Sequence, residues 1–126
     1  MYFQELSRLR DSNRSQTDVL KRIDSYLAKA SANARFYITA TDVAQAIAAP
    51  RQVVIGLLMA AAHVGVLRLK FRLTCPERGA GIRDYDELSE IPLDVYCDLC
   101  DQTHRVSSDD IEYFFEIAQK PMANAG

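Results

Sequence analysis

The sequence predicts an α+β fold, with a helical first half followed by a strand-rich second half. Three observations predict it. Apolar residues recur at helical spacing between Thr17 and His63. Apolar and cationic residues alternate at period two from Leu67 to Leu73. Cysteines then fall at 75, 97 and 100 in turn-forming surroundings. A charge reversal accompanies the change of period. Residues 1–74 hold eleven Lys/Arg against five Asp/Glu, or +6; residues 75–126 hold four against twelve, or −8, which sums to the formal −2 of the chain. We place the boundary at Cys75-Pro76. This gives a helical region over 1–74, a small β subdomain over 75–119 and a flexible tail over 120–126.

Tyr2 to Arg10 predicts a short amphipathic helix, with Phe3, Leu6 and Leu9 or Arg10 spaced three to four apart. Asp11-Ser12-Asn13 interrupts it. Ser15 or Thr17 can cap a second helix, and Asp18 sits beside the positive end of its dipole. Val19, Leu20, Ile23, Tyr26, Leu27 and Ala30 make one stripe of that helix. Lys21, Arg22, Asp24 and Lys29 are assigned to the opposite face. Ser31 to Ala34 is a loop, Phe36-Tyr37-Ile38 a short strand, and Thr39 or Thr41 the cap of a third helix over Asp42–Ile47. Pro50 suits the start of the next helix, where a missing N–H costs nothing.

That fourth helix, Arg51–His63, decides most of the functional argument. Counting back from its stop at Gly65, the buried stripe is Val54, Leu57, Leu58, Ala61 and Ala62. The outer face is then Gln52, Ile55, Gly56, Met59, Ala60 and His63. Base edges are read by side chains such as Arg, Lys, Asn and Gln, and this face is nearly apolar. It suits contact with another polypeptide. Gln52, Ile55, Met59, Ala60 and His63 are therefore the candidate protein interface, for a protein partner or a second copy of the chain. The following strand places Leu67, Leu69, Phe71 and Leu73 on one side and Arg68, Lys70 and Arg72 on the other. These cations, with Arg51, are the candidate phosphate contacts of an alternative nucleic-acid role. They are equally able to attract the acidic half of another copy, or of the same chain.

Strand, helix, turn, helix, Gly-Val-Leu, strand is the order over Phe36–Leu73, and it resembles the winged helix-turn-helix superfamily. The segment from Thr74 to Val106 resembles a zinc ribbon, in which two short cysteine turns hold one Zn²⁺. Cys75, Pro76 and Gly79 match the first turn, while Arg78 stands where its second thiolate belongs. Cys97 and Cys100 match the second turn. The resemblance implies a winged helix-turn-helix followed by a small β zinc-ribbon-like subdomain. Cys75, Cys97 and Cys100 supply three ligands, and His104, four residues beyond Cys100, can close a Cys₃His set. The other possibility is a degenerate, metal-free ribbon in which Arg78 pairs with Asp98 or Asp101. Ile111–Ile117, with alternating character, is a strand that closes the ribbon or pairs with the preceding sheet.

Together these readings point to a non-enzymatic adaptor or accessory subunit, with DNA-binding regulation as the alternative. No glycine-rich phosphate loop is present, and no Ser/His/Asp set with suitable spacing. Cys97 and Cys100 could form a redox pair, but the βαβ context of such a site is missing. No catalytic residue and no small-molecule substrate is expected. No apolar run reaches the ~20 residues that span a bilayer, and the start lacks the basic and apolar regions of a signal peptide. A cytoplasmic protein with reduced thiols or metal ligands is expected.

Overall fold

Helix formation begins almost at the first residue, and it is set up by a side chain far along the chain. The computed structural model describes residues 1–12, 14–33 and 35–122; the side chains of residues 11, 12, 14 and 33 are left aside. Helix α1 spans Gln4–Ser12, and a 3₁₀ turn, Arg14–Gln16, leads into α2, Thr17–Asn33. The predicted loop at Ser31–Ala34 is thus shortened, because α2 runs on through Asn33; Ala34 lies outside the described residues, as do Asn13 and 123–126 of the predicted tail. Phe3 and Leu6 are fully buried, as are Leu20, Ile23 and Leu27 of α2.

Asp24 corrects the sequence reading of α2. It is not on a solvated face but 2% exposed. Its carboxylate accepts the backbone N–H of Tyr2 (2.7 Å) and of Phe3 (2.9 Å). These donors precede α1, where a helix leaves N–H groups unsatisfied and favours negative charge. Asp24→Ala strands both donors and should cost about 2–3 kcal/mol. Asp24→Asn, which keeps one acceptor, should cost less. Chemical unfolding of the two variants checks this, and equal stability to wild type would refute it.

Helix α3, Ala40–Ile47, begins where Thr39 Oγ1 accepts the Asp42 N–H at 3.2 Å. It ends on Ala48 in the left-handed region, φ 53°. The Arg22 guanidinium donates to the Ile47 carbonyl and pairs with Asp18 at 3.1 Å, placing a cation at the negative end of α3. After Pro50 the chain turns into α4, Arg51–His63, bent 118° from α3. Gly65, at φ 88°, then lets the backbone reverse into a strand. Val54, Leu57, Leu58 and Ala61 are buried. Gln52, Gly56, Met59 and His63 are exposed, and Ile55 and Ala60 half-buried. No single described helix is long and apolar enough to cross a bilayer.

Five strands follow: β1 Leu67–Thr74, β2 Gly81–Tyr85, β3 Asp94–Cys97, β4 Gln102–Arg105 and β5 Ile111–Ile117. They form a three-stranded sheet in the order β2-β1-β5 and a separate β3-β4 hairpin. The architecture is therefore α+β, four helices with a small antiparallel sheet. The strand expected at Phe36–Ile38 is reduced to an isolated antiparallel bridge. Ile38 and Phe115 exchange two backbone hydrogen bonds of 2.7 Å. Thr39 is already extended backbone capping α3, so no length remains for a ladder.

The chain divides into two compact units, Met1–Arg68 with Phe115–Gly126, and Leu69–Phe114. The first unit centres on the four helices. In the second, β1 pairs with β2 antiparallel from Phe71↔Tyr85 to Thr74↔Gly81, with a bulge after Leu73. At Gly81 a Cβ would lie 2.8 Å from Arg72 Cδ, so a larger residue would make that side chain shift. Asp94–Cys97 pairs with Gln102–Arg105, Val95 opposite His104 and Cys97 opposite Gln102. A capping box on Ser107 and Asp110 opens the turn before β5.

The cations of β1 are partnered within their own units. Arg68 pairs with Glu116 at 2.6 Å, Lys70 with Asp86 at 2.7 Å and Arg72 with Asp84 at 2.8 Å. Of the attractions open to this basic strand, the structure takes the one within the chain.

Candidate metal centre

Two short turns and one strand position the cysteines and His104. In the first, Cys75-Pro76-Glu77-Arg78-Gly79, the Gly79 N–H bonds the Cys75 carbonyl at 2.7 Å. Gly79 has a positive φ of 67°. In the second, Cys97-Asp98-Leu99-Cys100-Asp101, the Asp101 N–H bonds the Cys97 carbonyl at 2.8 Å. Asp101 likewise has a positive φ, 57°. Both turns are one local structure: a cysteine whose carbonyl is closed by a left-handed residue four positions on. Aspartate tolerates that conformation better than most residues. The Tyr96 hydroxyl holds Asp101 in place by donating to its carboxylate. That hydrogen bond, with burial, raises the Tyr96 pKa.

The hairpin adds the last donor. Residues two apart on a strand share a face, so His104 on β4, opposite Val95, lies on the same face as Cys97. Cys75 Sγ is 3.7 Å from Cys100 Sγ, and Cys100 Sγ is 2.9 Å from His104 Nε2. The ligating atoms of Cys75, Cys97, Cys100 and His104 all lie within 4.8 Å of one another. Cys75 and Cys97 are buried, and Cys100 and His104 half-buried. This cluster could hold one metal ion.

The electrostatics distinguish the thiols. Burial works against a Cys75 thiolate. The backbone N–H groups of Arg78 and Glu77, together with the Cys97 and Cys100 thiols, more than offset it and hold its pKa below the ordinary thiol value. Burial pushes the Cys100 thiol up to about 11, assisted by Cys97 and Cys75. A metal bound here would have to displace a proton from Cys100, so its affinity would rise with pH.

The four sequence-predicted ligands are thus brought together. The position of Arg78 also contributes, through its main chain rather than its side chain: that side chain is exposed, while its N–H faces the Cys75 sulfur. Composition at 78 could not reveal this. The repeat of a cysteine followed four residues later by Gly79 or Asp101 could have. The interface candidates Gln52, Ile55, Met59, Ala60 and His63 share the outer side of α4. The nucleic-acid candidates do not form a free patch: Arg51 donates to Thr41 Oγ1 at 3.1 Å, and Arg68, Lys70 and Arg72 are the paired cations described above.

No curated protein and no solved structure matches the chain. Residues 3–121 match the family of unknown function DUF5939, and with this match spanning nearly its whole length the chain belongs to that family.

Proposed function

We propose that the chain is a non-enzymatic protein-docking module on a winged-helix-like scaffold, braced by one zinc ion in its β subdomain. The observation that carries the docking role is the outer face of α4. Its middle is apolar, with Met59 exposed and Ile55 and Ala60 half-buried, and exposed Gly56 sits at its centre with nothing within 4 Å of where a Cβ would be. A mid-helix glycine costs about 1 kcal/mol relative to alanine. Nothing inside the molecule requires one here, whereas close approach of another backbone would.

The occupant we assign is α4 of a second copy, running antiparallel about a two-fold axis. In that register, Gly56 faces Met59 of the second copy, Ile55 faces Ala60, and Gln52 faces His63. Large meets small and polar meets polar, the self-complementarity that an isologous contact needs. The three-residue turn and 118° bend between α3 and α4 agree with helix-turn-helix geometry. The partnered cations of β1 leave the DNA-binding alternative the weaker reading.

The donor set supports zinc. Tetrahedral Zn²⁺ with sulfur at about 2.3 Å separates its thiolates by about 3.8 Å, close to the 3.7 Å between Cys75 and Cys100. Cys₃His is a closed structural set with no open position for substrate. The ion would supply a crosslink between the two cysteine turns and β4.

Sedimentation velocity tests the docking role. The wild type should self-associate in the micromolar range, and Met59→Asp should abolish this. Gly56→Ala should separate two effects, raising monomer stability by about 0.5–1 kcal/mol while weakening self-association. A wild type that stays monomeric at high concentration, or a Gly56→Ala variant that associates normally, would overturn it.

A further inference from the structure

An open cleft of about 550 Å³ lies between α2 and the end of α3, far in sequence from the cysteines. Its rim is cationic. Lys21, Ser25 and Lys29 follow one another at intervals of four along α2, a single ridge about 12 Å long. Arg22 and Tyr26 occupy the neighbouring ridge. No lining residue is a carboxylate. Among the described residues, Lys21 and Lys29 form no ion pair. Asp18 is engaged with Arg22, and Asp42 acts on Tyr26 without lining the cleft.

The floor is apolar. Ala46, Ile47 and Ala48 present methyl and alkyl groups beside the Tyr26 ring. Ala48 adopts its left-handed φ of 53° although glycine would do so without strain, and its methyl is part of this floor. Cations and hydroxyls along one side and hydrocarbon beneath are the two halves of an amphipathic anion site.

We propose that this cleft binds an organic phosphate, a small molecule whose anionic end meets Lys21 and Lys29 while its apolar body lies on Ile47 and Tyr26. The site does not depend on the docking face or on the metal. Binding needs both halves of the ligand. Charge alone gives only the weak, salt-screened attraction of exposed lysines, and an apolar body alone leaves the cations unmatched.

The test is titration of the full chain, followed by backbone amide shifts in ¹⁵N-labelled protein, with three probes: 1-naphthyl phosphate, inorganic phosphate and neutral 1-naphthol. Saturable shifts centred on residues 25–29 and 46–48 are expected with 1-naphthyl phosphate, and much weaker ones with the other two. The double variant Lys21→Ala/Lys29→Ala should bind about tenfold less tightly. Ala46→Glu, at an exposed helical position where glutamate is well tolerated, should bind still less while its remaining amide spectrum stays that of the folded wild type. No saturable shifts with 1-naphthyl phosphate, equal affinity for 1-naphthol, or undiminished binding in both folded variants would each overturn the proposal.

Discussion

Stripping the metal should unfold Leu69–Phe114 and leave one equivalent of zinc in the chelator. This unit has few fully buried apolar side chains: among its described residues they are Leu73, Cys75, Cys97 and Phe114. Two of the four, Cys75 and Cys97, belong to the candidate metal cluster. With so small a core, the unit would depend on the proposed zinc crosslink, since structural zinc contributes on the order of 10 kcal/mol to small domains. Cys97→Ser should therefore lose both metal and the ordered β3-β4 hairpin, seen as metal content by plasma mass spectrometry and as collapsed amide dispersion. His104→Ala should weaken zinc binding, and His104→Cys should retain it. A sharper result is available because the two cysteine turns have the same closure. Arg78 occupies in the first turn the place of Cys100 in the second. Arg78→Cys should then restore one equivalent of zinc to a His104→Ala chain. Wild-type protein purified without metal yet fully folded would refute the structural role. Failure of Arg78→Cys to rescue would refute the equivalence of the turns.

Phe115→Ala should be the most damaging single truncation in the helical unit. The side chain is 0% exposed, and its backbone holds Ile38 in the bridge that precedes α3. Removing the ring leaves the bridge but empties the space beneath it. Phe→Ala at such a site costs about 3–5 kcal/mol, a third or more of the roughly 5–15 kcal/mol that holds a domain together. Urea unfolding followed by helical circular dichroism should show the midpoint fall sharply. Phe36→Ala is the control. Phe36 is 68% exposed, and its loss should stay within about 0.5 kcal/mol of wild type. Similar effects from the two substitutions would contradict the burial described here.

The contrast between Phe36 and Phe115 also shows where sequence pattern stops. Both are aromatic residues in extended runs, and periodicity gives each a strand. Only the second has a partner strand, and Thr39 truncates the first. Asp24 is a similar case. On a helical wheel it joins Lys21, Arg22 and Lys29 as a solvated charge. Its burial depends on where the amino terminus returns, a contact between residues more than twenty apart. No local pattern carries that information. The cations of β1 were legible as a ridge, but not their neutralisation by Glu116, Asp86 and Asp84.

Local chemistry by itself determined the helices, the cap at Thr39 and the stop at Gly65, the buried stripe of α4 apart from half-buried Ala62, and the two cysteine turns. Each follows from residues within about four positions of one another, the range over which backbone hydrogen bonds and side-chain periodicity act. Tertiary structure decided what long-range closure decides. It brought His104 to three cysteine sulfurs across a hairpin and buried Asp24 under the first turn of α1. It neutralised the basic strand within the chain and opened a cationic cleft where α2 meets the end of α3. These outcomes depend on which distant groups share a neighbourhood once the core has packed, and burial and charge pairing are properties of that neighbourhood rather than of any residue in it.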